Sequence, residues 1–181
     1  GAPIVLDADA LNAIHTAHSP QNETMQWPHS GNFVVTPHPG EMARLCGTDT
    51  SDVQARREET AVRAAAAMIA TRPSKTSIQE QDAQRGVVVL KGAQTIVTDG
   101  QRAFVNRTGN PGMATGGTGD VLTGVISGLL AQGLPRFDAA VLGVCVHGLA
   151  GDLAARSLGE TSLIASDLLD YLPTAFRGLV K

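Results

Sequence analysis

The sequence predicts an α/β fold: a mostly parallel sheet flanked by helices, with an antiparallel hairpin attached. Three observations carry that expectation. Short apolar runs at Ile4–Leu6, Phe33–Val35 and Val87–Leu90 do not alternate with polar residues, as befits strands covered on both faces. Helical patterns separate these runs, and strands that alternate with helices build layered α/β folds. Beyond Lys91, the stretches 95–98 and 102–105 flank Asp99-Gly100, a pair suited to the positive φ of a tight type I′ turn.

Composition narrows the function classes. The chain has 181 residues, 43% hydrophobic and 17% charged, a single-domain length that can bury a core and does not fit a disordered chain. Aromatics make up only 3%, so the core is expected to consist of Ala, Val, Leu and Ile. A net charge of −3 without a basic stripe argues against nucleic acid as a partner. Small anions remain open, because backbone amides alone can hold phosphate. Cys46 and Cys145 stand far apart with no His or Cys nearby at ligand spacing, which supports neither a disulfide framework nor a zinc site. No apolar run is read as long enough to span a membrane and no basic-then-apolar leader opens the chain. The expected location is the cytoplasm, with no membrane partner. The chain opens on Gly1 and runs at once into a buried-type strand, as would a piece whose beginning lies upstream or a chain left with a processing glycine.

Taken in order, Ile4–Leu6 is the first strand and Phe33–Val35 the second, with a polar loop over 15–31 between them. Glu41 falls in the first turn of a helix through Leu45. Ser51 is the expected N-cap of one helix reaching about Arg72 before Pro73, since proline disfavours helix in the residue before it. A second polar loop covers 73–85 and leads to the strand Val87–Leu90. In the last third, Val121, Leu122, Val125, Ile126, Leu129 and Leu130 form an apolar stripe, with Gly124 and Gly128 expected to admit a close neighbour. Gly133 and Pro135 end that helix. A helix from 138 to about 158, apolar nearly all round, should be central. Ser166 is expected to cap a last helix, with Asp167 at its positive end and Pro173 kinking or restarting it.

The chemistry concentrates after strands. Asn110-Pro111-Gly112-Met113-Ala114-Thr115-Gly116-Gly117-Thr118-Gly119-Asp120 runs directly into a helix. Glycines before a helix start let backbone amides converge, and the helix dipole adds positive potential there. Asp120 in the first turn would then sit beside any bound anion, placed to take a proton from a hydroxyl. The segment is no Walker A loop, because no Lys-Ser/Thr follows the glycines, and no dinucleotide fingerprint, because Leu122 stands where the third glycine belongs. Lys91, one of three lysines, ends a buried strand; it either meets nucleotide phosphates beyond the strand or snorkels to the sheet edge. His38 and Glu41 lie in Thr36-Pro37-His38-Pro39-Gly40-Glu41, where two prolines stiffen the turn. Asp7 and Asp9 follow the first strand and serve a metal, a substrate or a helix cap. His147, inside an apolar helix, reads as a satisfied core histidine rather than a ligand.

In this order, LDADALN (6–12), TPHPGEMARL (36–45), VVVLKGAQTIV (87–97), NPGMATGGTGDVLTGVISGLLAQG (110–133) and HGLAGDLAA (147–155) resemble the ADP/ATP-dependent NAD(P)H-hydrate dehydratases, a branch of the ribokinase-like superfamily. The resemblance implies a metabolite-repair enzyme. ADP or ATP would phosphorylate the ring hydroxyl of hydrated NADH or NADPH, and loss of that phosphate would restore the dihydropyridine. It further implies that Asp120 contacts and deprotonates the substrate hydroxyl and that Gly117, Thr118 and Gly119 form the anion hole. Lys91, Gly92, Ala93, Gln94 and Thr95 would line the nucleotide site, and His38 would touch the hydrate. Magnesium is implied by phosphoryl transfer, and a homo-oligomer by the family's habit. The family's domain begins upstream of LDADALN, so residues 1–181 are expected to be the C-terminal portion of a single dehydratase domain. A sugar, vitamin or hydroxyethylthiazole kinase of the same superfamily, or an inactive nucleotide-binding remnant, is the competing reading; HPGE and KGA favour the dehydratase.

Overall fold

The computed structural model describes residues 2–16, 32–70 and 86–179. Strand β1 (Ile4–Leu6) leads into helix α1 (Asp9–Thr16), and β2 (Phe33–Val35) into α2 (Pro39–Cys46), α3 (Thr50–Ala55) and α4 (Arg57–Ala70). Strands β3 (Val87–Leu90), β4 (Ile96–Thr98) and β5 (Ala103–Val105) follow, then α5 (Thr118–Ala131), α6 (Arg136–Leu158) and α7 (Ala165–Leu179). Short 3₁₀ turns at Pro111–Met113 and Glu160–Ser162 complete the chain. The five strands form one mixed sheet in the order β1-β2-β3-β4-β5. The pairs β1/β2 and β2/β3 are parallel, whereas β3/β4 and β4/β5 are antiparallel.

Strand alternation divides the sheet's side chains between two cores. Phe33, Val35, Val88 and Leu90 pack with Leu11, Met42 and the small residues Ala61, Ala64 and Ala65 of α4. Val34, Val87, Val89 and Val97 point the other way, against Leu122 and Ile126 of α5 and Ala139, Ala140 and Val144 of α6. Full burial of a side chain such as Ile126 contributes about 1.5–3 kcal/mol, and the alanines let the helices lie close to the sheet. Because β1, β2 and β3 run parallel, their C-terminal ends share one edge, and the site lies there.

Several expectations need correction. The expected helix from Ser51 is two: α3 ends where Arg56 leaves helical geometry (φ −133, ψ 49), and its N-cap is Asp49. The break re-aims the chain so that Arg57, at the start of α4, reaches the end of β3. The hairpin loop is not a two-residue type I′ turn. Thr98 pairs with Ala103, leaving four loop residues, and only Gly100 takes a positive φ (86°). Asp99 instead uses its carboxylate, which accepts from the N–H groups of Gln101 and Arg102 and from Arg102 Nε, the last at 2.9 Å. That loop is anchored to α6 by Arg102 lying 4.0 Å over the Phe137 ring.

The close-approach glycines are also elsewhere. Apart from their chain neighbours and their own helix's backbone, no described atom lies within 4 Å of the Cβ position of Gly124 or Gly128. Among the glycines of the long helices the most crowded are on α6, where a Cβ at Gly148 would fall 2.2 Å from Thr108 Oγ1 and one at Gly151 2.2 Å from Met113 Sδ. Helix α7 starts one residue before Ser166. Its first turn is closed by Asp167, whose carboxylate accepts from the Ile164 N–H at 2.9 Å. Pro173 does not restart the helix, which runs unbroken to Leu179 because Tyr171, Leu172, Ala175 and Phe176 pack on Val146 and Ala150 of α6. By length and composition α6 is apolar enough to cross a membrane, with mean hydropathy 1.4 over its best stretch, contrary to expectation. Here it is a core helix, half of that stretch being buried. The expected loops over 15–31 and 73–85 lie almost wholly outside the described residues.

Candidate active site

Three strand ends and one helix start converge. Beyond β1, Asp7 Oδ1 lies 2.7 Å from Lys91 Nζ, which arrives from the end of β3. Its Oδ2 accepts the Thr123 hydroxyl of α5 at 2.8 Å, and Oδ1 also accepts the Ala8 N–H at 3.0 Å. Burial alone would push the Asp7 carboxyl up, but Lys91 and the Thr123 and Thr36 hydroxyls outweigh it and hold the group below its ordinary value. Beyond β2, the Pro37 carbonyl accepts the Lys91 N–H at 2.8 Å, and the Leu6 carbonyl accepts the Thr36 N–H at 3.1 Å. The three strand-end loops are thus stitched side by side, as ligand sites in open α/β sheets require.

The glycine segment meets this edge as expected. A Cβ at Gly119 would fall 3.4 Å from Lys91 Nζ and 4.0 Å from Asp7 Oδ2. The start of α5 therefore abuts the ion pair. Gly117 is its N-cap in left-handed geometry (φ 88, ψ −15), a conformation that side chains resist. The Thr118 side chain turns inward, its hydroxyl 2.9 Å from both the Met113 and Thr115 carbonyls; only its amide is free to face an anion. Asp120 is exposed in the first turn, and its carboxylate accepts no hydrogen bond from the described residues.

His38 caps α2. Its Nδ1 accepts from the Gly40 and Glu41 amides at 3.0 and 3.2 Å, while Glu41 Oε2 accepts from the His38 N–H at 2.7 Å, a reciprocal capping box. An acceptor Nδ1 leaves the proton on Nε2, which lies 3.3 Å from Glu41 Oε1. In the loop after β3, Gly92 (φ 128) and Gln94 (φ 56) both have positive φ. That conformation is strained for Gln94. Thr95 closes the turn with its hydroxyl on the Gly92 carbonyl at 3.0 Å, and Gly92, Ala93 and Gln94 are exposed.

Two supporting residues escaped the sequence reading. Arg57 Nη2 donates to the Leu90 and Lys91 carbonyls, each at 3.2 Å. Its guanidinium lies against Gly92, where a Cβ would come within 3.2 Å, and burial pulls its pKa down. Nothing local marks Arg57 as different from Arg56. Asp152 of α6 accepts from the Gly109 N–H at 2.9 Å and from Asn110 Nδ2 at 3.1 Å, fixing the start of the glycine segment. An acid in the interior of an apolar helix, well past its first turn, was the signal for it.

His147 is the satisfied core histidine expected. It is buried, and its Nε2 lies 2.9 Å from the Thr118 carbonyl, pinning the first turn of α5. Burial lowers its pKa from 6.5 to about 4 despite that carbonyl. The neutral ring is the folded form, so stability is full above 6.5 and falls as the pH drops from 6.5 toward 4, by about 3 kcal/mol at the lower end. Urea unfolding of wild type and His147→Gln across this window checks it: the variant should lose less stability on acidification, and equal losses would contradict the assignment.

Comparison with known proteins decides the family. The family model described as NAD(P)H-hydrate dehydratase matches residues 1–174. The chain belongs to the NAD(P)H-hydrate dehydratase family. Among relatives, the bifunctional NAD(P)H-hydrate repair enzyme of Moorella thermoacetica is 48% identical over 179 residues, covering 98% of this chain and 30% of its own. The ADP-dependent (S)-NAD(P)H-hydrate dehydratase of Neisseria meningitidis serogroup B is 42% identical, covering 92% of this chain and 50% of its own. The ADP/ATP-dependent NAD(P)H-hydrate dehydratase of Bacillus subtilis, co-crystallised with ATP and Mg2+ and soaked with CoA, superposes with a TM-score of 0.74 at 32% identity. That match covers 97% of this chain and 56% of the Bacillus one. This chain thus spans about half the length of the dedicated enzymes and less than a third of the bifunctional relative.

Proposed function

We propose that this chain forms the phosphoryl-transfer half of a site that dehydrates NAD(P)H hydrate at the expense of ADP or ATP. The observation that carries the reading is the placement of Gly119 against Lys91 Nζ, with a free carboxylate at Asp120 one residue further on. Amides of Gly117, Thr118 and Gly119 would hold the oxygens of the transferring phosphoryl group, in the manner of helix starts that bind phosphate. The loop of Lys91, Gly92, Ala93, Gln94 and Thr95, exposed at its three central residues, would carry the rest of the nucleotide. Asp120 would contact the hydrate and take the proton of its ring hydroxyl as that oxygen attacks the terminal phosphorus. Departure of the phosphate, with a proton from the neighbouring ring carbon, restores the dihydropyridine. His38, its Nδ1 already spent on the α2 cap, would offer only Nε2–H to the hydrate.

The residues fit a magnesium ion carried by the nucleotide. No group of three or more His, Cys, Asp or Glu able to hold a metal occurs among the described residues. Asp7 is committed to Lys91 and Thr123 and Asp120 is assigned to the hydrate, so the ion would rest on phosphate oxygens and water rather than on a carboxylate of this chain. Magnesium commonly keeps several waters and binds substrate phosphates; when bound it neutralises charge on the phosphates. The Bacillus relative was crystallised with ATP and Mg2+ and the Neisseria one is named ADP-dependent, which supports both donors.

Residues 1–181 would form the C-terminal portion of one dehydratase domain, acting in the cytoplasm where reduced nicotinamide cofactors and nucleotides occur. Among the described residues four of the five large exposed apolar side chains, Leu158, Ile164, Leu169 and Leu179, fall in the last quarter of the chain, the fifth being Ile4 of the edge strand β1, which supports a homo-oligomer. The test of the functional reading is whether the full-length protein regenerates NADH from its hydrate only when ADP or ATP is present. Nucleotide-independent regeneration, or none, contradicts it.

A further inference from the structure

We propose that Asp7 is a positioning residue for phosphoryl transfer: it holds the Lys91 ammonium against the start of α5, where the transferring phosphate would lie. The proposal rests on the functional reading above and adds a residue which that reading does not need. A lysine at a strand end has four rotatable carbons and is free to snorkel outward. Lys91 instead folds back, its side chain 19% exposed, to meet Asp7, 10% exposed, at 2.7 Å.

The Asp7 carboxylate is itself fixed by donors from three elements. These are Lys91 beyond β3, Thr123 of α5 and the Ala8 amide beyond β1. The next residue, Ala8, takes a left-handed φ of 45°, a strained conformation for alanine. It turns the chain into α1 while leaving the Asp7 carboxylate at the strand edge. Among the described residues, Lys91 Nζ donates to Asp7 alone, and an ammonium has three N–H bonds. The two that remain are available to oxygens beside Gly119, whose Cβ position is 3.4 Å from the nitrogen. Asp7 thus acts through Lys91 and need not touch a ligand.

The experiment is a double-mutant cycle on turnover in the full-length protein, with Asp7→Asn, Lys91→Met and both together. Nucleotide affinity is measured in parallel. Asp7→Asn is expected to lower kcat on the order of tenfold to a hundredfold, the scale of misplacing a catalytic group, with a smaller change in nucleotide KM. In the Lys91→Met background the same change should have almost no further effect, because coupled residues are not additive. Should Asp7→Asn fail to fold, Thr123→Val, which removes one donor to the carboxylate, takes its place and should slow turnover only when Lys91 is present. Effects that multiply, or an Asp7→Asn protein as fast as wild type, overturn the placement of Asp7. An inactive wild type overturns the functional reading and this proposal with it.

Discussion

Asp120→Asn is expected to lower turnover by a factor on the order of 10² or more, the usual scale for losing a general base, while nucleotide affinity stays close to wild type. Asparagine keeps the size and the first-turn position and removes the negative charge and with it the capacity to take a proton. The groups proposed to hold the nucleotide are the amides of 117–119, the loop after β3 and Lys91, and none of them contacts the Asp120 side chain among the described residues. Steady-state kcat together with calorimetric nucleotide binding on the full-length protein checks the split. Near-normal kcat would remove Asp120 from the chemistry, and a loss of affinity with kcat preserved would make it a binding residue instead.

Gly148→Ala should give the largest loss of stability of any single methyl group added to α6. Its Cβ would lie 2.2 Å from Thr108 Oγ1 and 2.7 Å from the Thr108 carbonyl carbon, and backbone cannot yield as a side chain tip can. Thr108 is held in place by donation to the Cys145 carbonyl at 3.1 Å. Its own carbonyl accepts from Asn106 Nδ2 at 3.1 Å, and Asn106 is buried. Overpacking of this kind costs about 1–3 kcal/mol, with the upper end expected here. Gly128→Ala is the contrast. Apart from its chain neighbours and its own helix's backbone, no described atom lies within 4 Å of its Cβ position, and alanine gains up to about 1 kcal/mol over glycine inside a helix. Urea midpoints of the two variants should move in opposite directions; equal shifts would mean that the α6 glycines are not there to admit the loop.

The architecture was legible because its signals are local. The apolar runs at Ile4–Leu6, Phe33–Val35 and Val87–Leu90 coincide with β1, β2 and β3. Strands β2 and β3 are covered on both faces and show it as uninterrupted apolar runs, whereas β1 lies at the sheet edge among the described residues and leaves Ile4 exposed, contrary to expectation. The glycine-rich approach to α5 announced itself likewise, and Gly119 does lie at the strand-end edge. What the sequence concealed depends on pairs distant along the chain. The break at Arg56 has no proline or glycine to mark it; its reason is the reach of Arg57 to carbonyls 33 and 34 residues away. Asp7 and Lys91 are separated by 84 residues and Asp7 and Thr123 by 116, so neither spacing nor periodicity connects them. Asp99 stood in a sequence suited to a type I′ turn, yet its carboxylate organised a longer loop through the Gln101 and Arg102 amides. The α6 glycines appeared in the sequence as ordinary small residues, and only the loop lying on them shows which are needed.

The central claim is tested most directly by following NADH and phosphate together. Full-length protein is given NADH hydrate prepared chemically and a limiting amount of ATP with magnesium, and recovery of the dihydropyridine absorbance is recorded beside release of inorganic phosphate. If the Lys91–Gly119–Asp120 arrangement drives dehydration through a phosphorylated hydrate, one NADH appears for each phosphate set free, and no phosphorylated organic product accumulates. A stable phosphoester with no gain in NADH would make the protein a kinase and contradict the account.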